Sequence, residues 1–113
     1  MSEFDAVSQD TVLERIRAQA ATENVRITPH AQQELVEEDI TLGEVLEAIA
    51  AADILENYPE HRRGACCLLG GLTRRNRPVH VVCTTTLPML VIITVYEPRL
   101  PKWMSPSQRR QGK

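Results

Sequence analysis

Apolar residues follow two different periods along this chain, and the change falls near residue 53. Before it, they recur three or four apart, the spacing of one helix face. After it, they come in short runs rich in Val and Ile, the habit of strands. Leu13, Ile16 and Ala20 share a stripe and predict a helix over about Thr11–Ala21, with Thr11 and Glu14 as a capping box. Asn24–Ile27 is a short connector that an extended conformation would suit. Thr28-Pro29 starts a second helix, because Thr caps well and the missing N–H of Pro is harmless at the first helical position. That helix carries Ala31 and Leu35 on one face and stops near Glu38-Asp39. Thr41-Leu42-Gly43-Glu44 is a second capping box, with Ile40 and Val45 at the staple positions on either side. It opens a third helix, whose apolar face runs from Val45 through Ala48 and Ile49 to about Ala52.

Beyond Asp53 the expected elements are strands. Ile54–Tyr58 is a short one, ended by Pro59, and Ala65–Gly71 is the next. Leu72–Arg77 is a hairpin loop that carries Arg74, Arg75 and Arg77. Pro78–Pro98 reads as two further strands with their turn near Leu87-Pro88. Its β-branched residues suit a pleated surface, and the nearly continuous run Leu90–Val95 suits burial on both faces. Three helices followed by four strands predict an α+β domain, with the helices packed on one face of a four-stranded, mainly antiparallel sheet. The chain is long enough for one core and reads as a single domain over 1–113. Residues 1–10 and 104–113 read as loose tails, and Trp103 as the anchor of the last segment.

Composition adds little to this picture, and charge adds more. Apolar residues make up 42 % and charged residues 25 %, as in ordinary globular proteins. No apolar run approaches the roughly 20 residues that cross a bilayer. The acidic N-terminus lacks the apolar run of a leader, so a cytoplasmic protein without membrane contact is expected. Residues 1–60 carry a net −11 and residues 61–113 a net +9, which leaves −2 overall. Such a split fits either a basic half that meets an anionic partner such as RNA, or two halves that neutralise each other within the fold. Cys66, Cys67 and Cys83 make no metal or redox spacing and read as small buried apolar residues. His30, His61 and His80 lack metal-ligand spacing, so neither a metal nor a cofactor is expected.

One set of residues carries candidate chemistry. A hairpin centred near Leu87-Pro88 brings His80 opposite Thr94 and diagonal to Tyr96, with arginines in the adjoining turns. Histidine moves protons near neutrality, and arginine neutralises a phosphate whose charge rises in the transition state. Together they suit cleavage of RNA by its own 2′-hydroxyl, without metal. The plainer reading makes His80 a hydrogen-bonded core residue, Tyr96 a core aromatic and the arginines a solvated loop. A register slip of one residue moves His80 to the other face.

The segments Ile27-Thr28-Pro29-His30-Ala31, Arg77-Pro78-Val79-His80-Val81-Val82 and Ile93-Thr94-Val95-Tyr96-Glu97-Pro98, with Trp103 after them, resemble the bacterial domain of unknown function 4258, over about residues 27–110. Its helix-then-sheet order is similar to RelE/ParE-type toxins, and its members look like the toxin side of toxin–antitoxin pairs. The resemblance implies a toxin-like protein acting as a metal-independent endoribonuclease. His80 and His30 would then be acid/base residues, Tyr96 would position the scissile group, and Arg62, Arg63 and Arg77 would contact phosphate. RNA, a small antitoxin protein and a second copy joined along a strand edge are the partners this implies. Basic residues common in the family after the His-Ala pair are replaced here by Glu34 and Glu38. The alternative is a non-catalytic protein-interaction module.

Overall fold

The computed structural model describes residues 2–62, 64–99, 103–106 and 108–109. Helix α1 spans Ser2–Ala21, strand β1 Val25–Ile27, α2 Pro29–Glu38 and α3 Leu42–Ala50. Strands β2 Asp53–Tyr58, β3 Cys66–Leu72, β4 Pro78–Thr84 and β5 Leu90–Tyr96 follow, then a small ribbon of β6 Trp103–Ser105 and β7 Gln108–Arg109. Both later helices begin as the sequence predicts. Thr28 accepts from the Ala31 N–H with Pro29 at the first position, and both halves of the Thr41–Glu44 capping box form. Asp39 ends α2 in a left-handed conformation, φ 57°. No Gly or Pro interrupts the chain between Ser2 and Ala21, and α1 starts nine residues before the expected Thr11. Thr11 therefore lies inside the helix rather than at its start.

The expected four-stranded, mainly antiparallel sheet is corrected to a five-stranded mixed one, in the order β1-β5-β4-β3-β2. The fifth strand is the connector Val25–Ile27, which pairs parallel to Leu90–Ile92. Three residues are too few to show a period, and their partner lies far along the chain. Where β1 ends, α2 takes over the edge of β5. The carboxylate of Glu34 accepts the Val95 N–H at 2.8 Å, and that of Glu38 accepts the Glu97 N–H at 3.1 Å. These are the two acidic departures from the family pattern, and in this chain they stand in for a strand.

The helices cover one face of the sheet. Cys67, Leu69, Val79, Val81, Cys83, Leu90, Ile92 and Val95 face Ile16, Val45, Ala48 and Ile49 in the main core. Gly71 allows α3 its close approach: a Cβ there would collide with the Ala48 carbonyl and lie 3.1 Å from the Ala52 Cα. At the far end α1 holds the β4–β5 turn. Arg15 donates to the carbonyls of Thr86 (3.2 Å) and Leu87 (2.7 Å), and Asn24 donates to that of Pro88 (2.9 Å). Side chains alternate along a strand, so Leu68, Gly70, His80, Val82 and Tyr96 belong to the opposite face.

Candidate functional site

The face away from the helices brings two of the predicted site residues together. His80 and Tyr96 are direct partners in the β4–β5 ladder, one step beyond the diagonal the sequence suggests. The expected partner, Thr94, is displaced by two residues, and a bulge between Val82 and Cys83, where the register shifts by one, supplies part of that difference. Such an extra residue is invisible to strand counting, because it leaves the alternation on either side intact. The Tyr96 hydroxyl lies 3.2 Å from His80 Nδ1, and the rings are 5.2 Å apart and tilted by 58°. His80 Nε2 bonds to the carbonyl of Pro106, in the turn between β6 and β7. A carbonyl only accepts, so Nε2 carries a proton, and in the neutral ring Nδ1 accepts from Tyr96 O–H. The ring is 1 % exposed and both its nitrogens have partners.

Gly70 faces His80 across β3 and β4, and a Cβ there would lie 3.4 Å from the imidazole. The ring thus lies over a position without a side chain. A cleft of about 500 Å³ opens beside it, lined by Leu55, Gly70, Gly71, Leu72, Pro78, His80 and Pro106, with Asp53 at its rim. Leu72 is nearly half exposed there, at 46 %. Sequence reasoning does not single out Leu55, Leu72 or Pro106. The signal for Gly70 exists, since paired glycines inside a strand mark a close approach.

The other predicted residues lie elsewhere. Arg77 precedes β4 and turns to the helix side. Its Nε donates to Glu97 at 3.0 Å, and its other nitrogens donate to the carbonyls of Asp39 (2.7 Å) and Glu38 (2.6 Å). Glu44 lies 3.4 Å away. Arg77 therefore joins the C-terminus of α2, the start of α3 and the exit of β5. The bond it donates to Glu97 raises its pKa, with Glu44 adding to the effect. The Glu44 carboxyl is held below its usual range, first by the Thr41 backbone N–H and then by Arg77. Arg62 is exposed in the turn between β2 and β3, at the Thr84 end of the sheet. Four residues of strand, about 13 Å, separate that end from His80. His30 is largely exposed at the start of α2, 3.4 Å from Glu34. Arg63 lies outside the described residues, and so does the side chain of Trp103.

Cys67 and Cys83 face each other in the helix-side core, both fully buried. A hydrogen bond between their thiols lowers the pKa of Cys67 and, together with burial, raises that of Cys83 well above the usual thiol range. Among the described residues no group of three or more His, Cys, Asp or Glu is placed to hold a metal ion, and no helix is long and apolar enough to cross a membrane.

The model of a domain of unknown function, DUF4258, fits residues 27–97, from the end of β1 to the residue after β5. No curated protein and no solved structure matches the chain.

Proposed function

The chain belongs to the DUF4258 family, and we propose that it works as a non-catalytic protein-interaction module. The observation that carries this reading is the state of His80. An acid/base histidine needs a ring nitrogen within reach of the reacting proton. Here one nitrogen is bonded to Tyr96 and the other to Pro106, under a nearly closed surface. Among the described residues, the predicted arginines do not converge on it either. Arg77 bonds to Glu97, Glu44 and two helix carbonyls on the other side of the sheet, and Arg62 lies at its far end. Phosphate transfer by positioning and charge needs those groups within a few ångströms of one another. What remains on this face is an apolar cleft with one rim carboxylate and one imidazole, the make-up of a recognition site.

The test sets this reading against a toxin-like endoribonuclease. Total RNA is incubated with purified protein, and growth is followed on induced expression. We expect intact RNA and unaffected growth with wild type. RNA cleavage by wild type that disappears in His80→Ala would overturn the reading and restore His80 as a catalytic residue.

A further inference from the structure

The ribbon β6–β7 is a two-stranded sheet of its own, and it adds no strand to the main sheet. Its turn at Pro106 nevertheless sits against the cleft, with its carbonyl on His80 Nε2 and its own surface exposed. The bonding partner of a buried histidine is thus a backbone carbonyl delivered from outside the sheet. Any peptide has such a carbonyl.

We propose that this cleft is a docking site for an extended peptide segment of a partner protein, which takes the place now held by the Pro106 turn. The proposal rests on the interaction-module reading and names the partner class of that site. The occupant now seated there defines the chemistry. A backbone carbonyl accepts from His80 Nε2–H, and the space beside it is lined by Leu55, Leu72 and Pro78, which suits a proline or small aliphatic side chain next to that carbonyl. Asp53 at the rim adds a preference for a cationic residue beside that apolar one. The exposed flank of Leu72 gives a partner apolar surface at the mouth of the cleft. Exchange breaks no ladder of the main sheet, since the ribbon contributes none of its strands. A partner's affinity is reduced by the fraction of molecules in which the resident turn occupies the cleft, so loosening that turn strengthens binding in proportion.

The probe is a synthetic peptide with the sequence of residues 103–109, added to the full chain labelled with ¹⁵N. The imidazole signals of His80 and the amides of Gly70 and Gly71 are followed by NMR. With wild type we expect these signals to move only at high peptide concentration. Pro106→Gly keeps the carbonyl and removes the ring, and should bind the peptide about tenfold more tightly. Leu72→Lys, a change at an exposed position, should reverse that gain in the Pro106→Gly background while the rest of the spectrum stays native. The proposal fails if millimolar peptide moves none of these signals in either folded protein. It fails also if peptide binds equally with and without Leu72→Lys. RNA cleavage would defeat the interaction reading itself. Intact RNA with no peptide binding would defeat the cleft assignment alone.

Discussion

Arg77 and His80 stand three residues apart at the start of one strand, and their surroundings differ in kind. Arg77 turns to the helix side, where every partner belongs to an element of the fold: α2, α3 and the exit of β5. His80 turns to the open side, where one partner, Tyr96, is in the sheet and the other belongs to an outlying ribbon. The adjacent glycines repeat the contrast. A side chain at Gly71 would meet the backbone of α3, whereas one at Gly70 would meet the tip of Leu55 at 2.7 Å and the His80 ring. The helix side is tied by groups that belong to three elements of the fold, whereas the cleft is lined by side-chain tips and by a turn from outside the sheet.

The largest test of this contrast is Arg77→Leu. It removes the guanidinium from Glu44, Glu97 and two carbonyls, although Glu44 keeps the Thr41 N–H and Glu97 keeps Arg99, so we expect a loss of about 2–3 kcal/mol in urea unfolding. That is below the 3–5 kcal/mol of a fully buried pair, because a quarter of the Arg77 side chain remains exposed. Equal losses from Arg77→Leu and His80→Phe would erase the distinction between the two sites.

The glycine pair sharpens the same point at a smaller scale. Gly71→Ala should cost about 1–3 kcal/mol, as overpacking against a rigid backbone does, and Gly70→Ala less than about 1 kcal/mol, because a leucine tip can rotate away. Thermal melts of the two variants compare them directly, and a Gly70→Ala penalty equal to that of Gly71→Ala would mean that the cleft is as rigid as the core.

The smallest effect is in acid. The Glu44 pKa is lowered in the folded state, so the folded protein binds fewer protons there than the unfolded chain. Its contribution is complete above the ordinary glutamate range of about 4–5 and fades as pH falls through the lower folded value. Arg77→Leu should therefore show a shallower loss of stability than wild type between about pH 5 and 3. Parallel pH profiles for wild type and Arg77→Leu would contradict this.

The local features of the fold were legible in the residues. Thr28-Pro29 and the Thr41–Glu44 box state their own helix starts, because a cap needs only residues a few positions apart. The β-branched run from Leu90 states its own burial. Three other features depend on partners distant in sequence. Val25–Ile27 becomes a strand only because Leu90–Ile92 lies beside it. Arg77 reads as a phosphate contact until Glu38, Glu44 and Glu97 converge on it. His80 meets Tyr96 in part through a bulge that no alternation reveals. The candidate site was legible as a histidine–tyrosine pair and illegible as a cleft, since Leu55, Gly70, Leu72 and Pro106 come from separate elements and carry no motif.

The carboxylates of Glu34 and Glu38 have one more consequence. Repetitive assembly of sheets end to end needs two usable margins on every copy, one to join and one to be joined. On the β1 side this molecule offers three residues of strand, and beyond them the amides of Val95 and Glu97 are already taken by a helix. The margin at β2 can start such an association, but the other offers little to continue it. Among the described residues, the helix thus leaves only the three residues of β1 open at this margin, which disfavours continued strand-to-strand growth there.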